Sequence, residues 1–131
     1  MTTGRALEHV LYVDDEADLR EIARLSLEVM GGLTVDVAAS GAEALELIRR
    51  RRPDLVILDV MMPYMDGPAT LAALCEAFGE HRVPMVFLTA RSEAAEVARL
   101  RALGAVDVIA KPFDPMALPD RLRAVWSRYD G

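Results

Sequence analysis

The chain has 131 residues, 53% of them hydrophobic, and carries a formal net charge of −6. That length sets the scale of a single domain spanning 1–131, with enough apolar content to cover a sheet on both faces and no room for a second domain. The acidic balance argues against a nucleic-acid surface, because duplex binding depends on neutralising phosphates. No stretch approaches the ~20 apolar residues of a membrane span, and Met1 to Glu8 holds no apolar signal core, so the expected location is cytoplasmic, away from any membrane.

Strand and helix signals alternate without a break. A first strand near His9 to Val13 ends at Asp14 and Asp15. It leads into a helix near Ala17 to Met30, with Leu19, Ile22, Ala23, Val29 and Met30 on the expected core face, closed by Gly31 and Gly32. A short strand, Thr34 to Ala38, meets Ser40, the expected N-cap of a helix running to about Arg51. The basic block Arg49 to Arg52 complements the dipole at that helix's carboxyl end before Pro53 breaks the pattern.

Asp54 to Leu58 reads as a central strand buried on both faces, stopping at Asp59. In the loop Met61-Met62-Pro63-Tyr64-Met65-Asp66-Gly67, Gly67 is expected to supply the φ > 0 of a tight turn. A third helix, about Pro68 to Phe78, carries the stripe Leu71, Leu74, Cys75, Phe78, which makes the single cysteine a buried, inert thiol. His9 and His81 lack metal-ligand spacing. Met85 to Leu88 ends at Thr89, Glu93 to Leu103 is helical with Gly104 as its stop, and Asp107 to Ala110 ends at Lys111. The last helix takes roughly Met116 to Arg128, with Pro119 either distorting its first turn or delaying its start. Five βα units predict an α/β fold, a doubly wound five-stranded parallel sheet with five helices on its two faces and a core over about 8–127.

Four of those strands stop at residues suited to phosphoryl chemistry: Asp14 and Asp15, Asp59, Thr89, and Lys111. In an open parallel sheet the carboxyl ends share the edge where ligands bind, so three carboxylates, a hydroxyl and an ammonium converge there. Lys111 is the sole lysine among 15 basic residues, and a compact ammonium on a flexible stem reaches into a small anionic site that a planar guanidinium fits poorly. Two carboxylates ~4 Å apart repel by roughly 1 to 4 kcal/mol, depending on the effective dielectric, and a bound cation relieves this. Mg²⁺ suits the site because it keeps several waters and completes its shell with phosphate oxygens. Asp59, alone at its strand end, is placed to attack a phosphoryl group and form an acyl phosphate, with Thr89, Lys111 and the metal stabilising the phosphoryl oxygens.

At these residues the chain resembles the receiver domain of two-component response regulators, in its stand-alone form. The resemblance covers roughly Glu8 to Trp126 and rests on Asp14-Asp15, on Pro53 to Asp59 continuing into Met-Pro-Tyr-Met-Asp-Gly, on Thr89-Ala90, and on Lys111-Pro112-Phe113. It implies a flavodoxin-like sheet of strand order 2-1-3-4-5 and a signalling switch rather than an enzyme, one that assists only its own phosphorylation and dephosphorylation. It also implies that Asp59 accepts phosphate from a histidine kinase or a histidine phosphotransfer protein. Asp15 would bind Mg²⁺ directly, Asp14 mainly through water, and the backbone carbonyl of Met61 would add a ligand. Thr89 and Lys111 would engage the phosphoryl group, and the Lys111-Pro112 peptide would be cis.

One departure concerns Val108, which stands three residues before the lysine where the family often places a Tyr or Phe that swings inward on activation. The expected route of activation is therefore Thr89 and the loop Ala90 to Glu93, leading into the helix that carries Arg99 and Arg101. That helix lies near Asp107, Arg121 and Arg123, whose opposite charges are expected to form a self-association surface, a homodimer on phosphorylation. The signal would otherwise leave through an unknown downstream protein target. Two alternatives from other classes are weaker. A haloacid-dehalogenase-like Mg²⁺-dependent phosphatase needs a second Asp two positions after the nucleophile, where Met61 stands, and a flavin or nucleotide module needs a Gly-rich loop that the acidic Asp14-Asp15-Glu16 replaces. A receiver fragment of a larger regulator or hybrid kinase is the remaining reading.

Overall fold

Alternating strands and helices bury both faces of a sheet only if each crossover returns over it, and the computed structural model, which describes residues 5–130, has that architecture. Residues 1–4 and 131 of the expected span lie outside the described residues. The strands are β1 (His9–Val13), β2 (Thr34–Ala38), β3 (Leu55–Asp59), β4 (Met85–Thr89) and β5 (Asp107–Ala110). All pair in parallel, in the order β2-β1-β3-β4-β5. The helices are α1 (Ala17–Leu25), α2 (Gly41–Arg50), α3 (Gly67–Phe78), α4 (Ala94–Ala102) and α5 (Leu118–Asp130).

The central strands β1, β3 and β4 are buried throughout, which is why they read as unbroken apolar runs. Alternation along them divides the core in two. Val10, Tyr12, Leu55, Ile57, Val86 and Leu88 face α1 and α5, together with Leu27, Leu122 and Trp126. Leu11, Val13, Val56, Leu58, Met85 and Phe87 face the other way, with Ala44, Leu71, Leu74 and Leu100.

Local signals account for most element ends. Ser40 caps α2, its hydroxyl accepting from the Glu43 amide, while the Glu43 carboxylate accepts from the Ala39 amide. Gly32 (φ 66°) follows the first helical segment, and Gly104 (φ 120°) follows α4. Pro119 sits in the first turn of α5, where its missing N–H needs no partner, and the turn before it is tied by Ala117 and Leu118 amides donating to the Asp114 carbonyl.

Three expectations change. The stripe on the first helix is Leu19, Ala23, Ser26 and Leu27, not the one that includes Ile22, Val29 and Met30, which are exposed. Ser26 interrupts the apolar pattern but is buried with its hydroxyl donating to the Pro115 carbonyl, and from Ser26 to Met30 the helix widens into a π turn that shifts the phase of the residues beyond it. Gly67 does not hold the positive φ of its loop; Tyr64 does, at 66°. A Cβ on Gly67 would lie 2.6 Å from the Asp59 carbonyl oxygen and 2.9 Å from Phe87, so glycine there lets α3 start against the ends of β3 and β4. Cys75 is half-buried rather than buried, a free thiol at the edge of the core.

Candidate functional site

In the order β2-β1-β3-β4-β5 the chain reverses direction of growth between β1 and β3, and a crevice opens above the carboxyl ends of those two strands. Asp14 and Asp15 follow β1, and Asp59 closes β3. A ligand oxygen from each of the three can be chosen so that all lie within 4.8 Å of one another, the metal-ligand cluster found among the described residues. Asp14 and Asp59 are buried and Asp15 is exposed.

Lys111, brought in from the end of β5, lies between the buried pair: its Nζ is 3.2 Å from Asp59 Oδ2 and 3.3 Å from Asp14 Oδ2, with Glu16 Oε1 at 3.8 Å. The peptide to Pro112 is cis. Thr89, at the end of β4, is buried and its Oγ1 accepts from the Arg91 amide at 3.0 Å. The Met61 amide donates to Asp59 Oδ1 at 3.4 Å, and the Met61 side chain is exposed. The six residues singled out from the sequence thus gather at one sheet edge. Asp59, Met61, Thr89, Lys111 and Phe113 line a cleft of about 360 Å³ there, with Glu16 and Leu19 from the α1 side.

Electrostatics favour a cation. Burial and then the neighbouring charge of Asp14 push the Asp59 carboxyl up to about 6, against an opposing pull from Lys111. Burial lowers the Lys111 ammonium, but Asp59 and Asp14 together outweigh it and hold its pKa above the usual lysine range. One ammonium therefore does not neutralise the carboxylates. Clustered carboxylate oxygens, one open to solvent on Asp15, are the donor set that Mg²⁺ takes.

Sequence reasoning did not single out Tyr12 or Arg20. The Tyr12 hydroxyl donates to Asp14 Oδ2 at 3.0 Å, and Arg20 Nη1 donates to the Asp14 carbonyl at 2.8 Å. A tyrosine inside an apolar run gave no polar signal, although its spacing of two from Asp14 put both on one sheet face. Val108 is buried among the core residues of the α3 and α4 side. The charges expected to form a self-association surface pair within the chain: Asp107, buried, accepts from Arg101, Arg121 and Arg128 at 2.7, 3.2 and 3.0 Å. Arg99 binds Glu96, and Arg123 donates to the Gly31 carbonyl.

Comparison with known proteins shows the family and the fold. The family model of the response regulator receiver domain matches residues 10–123. The chain is 42% identical over 123 residues to the "Probable transcriptional regulator ycf27" of Porphyridium aerugineum, an alignment that covers 94% of this chain and 50% of that protein. It is 39% identical over 122 residues to the "Transcriptional regulatory protein CseB" of Streptomyces avermitilis, covering 92% and 50%. The chain spans about half the length of these curated relatives. Among solved structures it is similar to the chemotaxis protein CheY4 of Vibrio cholerae, with a TM-score of 0.82, 32% identity and coverage of 92% of this chain and 99% of that one. It is likewise similar to the Francisella response regulator 1452 receiver domain, with a TM-score of 0.83, 29% identity and coverage of 93% and 98%.

Proposed function

The chain belongs to the response regulator receiver domain family, and from that premise we propose that Asp59 is its phosphoacceptor and that Asp14, Asp15, Asp59 and the Met61 carbonyl hold Mg²⁺. The observation that carries this reading is the position of Lys111, within 3.3 Å of both buried carboxylates at the carboxyl edge of the sheet.

An Asp59 carboxylate oxygen attacks the phosphorus of a phosphohistidine on a histidine kinase or phosphotransfer protein. The P–N bond breaks, the imidazole leaves with a proton, and an acyl phosphate forms on Asp59. Lys111 moves its charge from the Asp59 carboxylate to a phosphoryl oxygen, and the Thr89 hydroxyl, whose oxygen accepts from the Arg91 amide, donates its proton to another. Mg²⁺, when bound, supplies positive charge that offsets the carboxylates and the incoming phosphoryl oxygens. The output is a protein contact with a downstream target. Incubation with acetyl phosphate and Mg²⁺ tests the reading directly: one acid-stable, base-labile phosphoryl group per chain is expected, and EDTA abolishes it.

Met61 bears on how long that group survives. Its exposed side chain borders the cleft beside Asp59, and a thioether cannot orient an attacking water. Replacing Met61 with Asn or Glu is expected to change the dephosphorylation rate several-fold, measured by the decay of labelled protein after donor removal. An unchanged rate would assign Met61 to packing alone.

The first helix also leaves apolar side chains exposed. Ile22, Leu25, Val29 and Met30 line an exposed groove with Pro115, whereas Leu27 is fully buried. This groove is the docking surface of the phosphodonor. Leu25→Glu is expected to slow transfer from the phosphohistidine protein at least tenfold, about the cost of one buried apolar contact, while labelling by acetyl phosphate stays within twofold. Equal loss with both donors would mean that the substitution damages the fold instead.

A further inference from the structure

Asp14 is fully buried, and each of its carboxylate oxygens has partners. Oδ1 accepts from the Glu16 amide at 3.0 Å, and Oδ2 accepts from both the Tyr12 hydroxyl at 3.0 Å and the Lys111 ammonium at 3.3 Å. The two donors on Oδ2 differ in what else holds them. Lys111 is shared with Asp59. Tyr12 is fixed: it belongs to β1, its ring is buried, and it meets Phe113 edge-on with centroids 6.1 Å apart.

An acyl phosphate on Asp59 moves the strongest negative charge in the site outward, and Lys111 follows it. Asp14 Oδ2 then loses its ammonium donor, and a carboxylate that would also hold Mg²⁺ keeps its orientation only through the hydrogen bonds that remain. We propose that Tyr12 is a positioning residue that keeps Asp14 hydrogen-bonded and oriented when Lys111 transfers to the phosphoryl group. This inference rests on Asp59 being the phosphoacceptor and extends it to a residue outside the strand-end set. The hydroxyl matters most after the lysine has left.

Tyr12→Phe isolates that hydroxyl, because it keeps the ring and its contact with Phe113. Beryllofluoride with Mg²⁺ stands in for the phosphoryl group, and its affinity is read from the Thr89 amide NMR signal in the parent chain, Tyr12→Phe, Lys111→Met and the double variant. Loss of one hydrogen bond to a charged group predicts about five- to tenfold weaker beryllofluoride binding by Tyr12→Phe when Lys111 is present. In the Lys111→Met background no ammonium leaves Asp14, so the same change is expected to alter affinity by less than about twofold. Equal weakening in both backgrounds overturns the proposal, as does a lowered unfolding temperature with unchanged beryllofluoride affinity, which would mark a hydroxyl that only supports the unliganded fold. A parent chain that binds no beryllofluoride overturns the Asp59 assignment as well, so the two failures are distinguishable.

Discussion

Asp59→Asn is expected to reduce phosphoryl incorporation from acetyl phosphate by at least a hundredfold, to the background of the unreacted chain. An amide has no anionic oxygen to attack phosphorus, while its near-identical shape leaves the surrounding strand ends in place. Asp14 cannot substitute, because its two oxygens are occupied by Tyr12, Lys111 and the Glu16 amide and it is fully buried. Asp15 is exposed, but among the described residues no ammonium is held against it as Lys111 is held against Asp59. The measurement is intact-mass analysis of parent and variant after identical incubation. Full labelling of Asp59→Asn would remove Asp59 from the mechanism.

The same substitution is expected to stabilise the metal-free protein. The Asp59 carboxyl titrates near 6 in the fold, above its ordinary 3.8, so between those values the folded state binds more protons than the unfolded one. Stability therefore falls as pH rises from about 4 through 6, and above that the ionised carboxylate costs about 2 to 3 kcal/mol. Asparagine carries no such cost. Part of the gain is offset because Lys111 loses one partner, although Asp14 and Glu16 remain. A net gain of about 1 to 2 kcal/mol corresponds to an unfolding temperature higher by roughly 3 to 8 °C at pH 7.5 in EDTA. The difference should shrink as pH falls through 6 and vanish only below the ordinary 3.8, and Mg²⁺ should narrow it by stabilising the parent chain. Identical unfolding temperatures at pH 7.5 without metal would show that the carboxylates are not in conflict.

The strand ends were legible because each ends an apolar run with a polar residue, and strand parity alone sends Asp14, Asp59 and Lys111 to the α1 and α5 face. Features that depend on distant chain were not. Asp54 read as the first residue of a strand, but its carboxylate collects Arg5 at 2.7 Å and the Glu8 and His9 amides at 3.0 Å each, tying the entry of β1 to that of β3. Asp107 likewise read as one charge among several on a surface, whereas it is the buried anchor of three arginines from α4 and α5. The phase of the first helix was missed because Ser26 interrupts the buried stripe, and only its bond to Pro115, far along the chain, lets a hydroxyl occupy that position. Gly67 was recognised as necessary for the wrong reason, since the crowding by Asp59 and Phe87 is absent from its local sequence. Tyr12 was hidden by the apolar company that makes β1 readable.

The central claim is the identity of the acceptor, and chemical trapping tests it most directly. After phosphorylation with acetyl phosphate and Mg²⁺, borohydride reduction converts an aspartyl phosphate into homoserine, which peptide mass spectrometry locates. Homoserine at position 59 alone is the expected result; homoserine at Asp14 or Asp15, or a phosphoryl group that resists reduction because it sits on a hydroxyl, would contradict it.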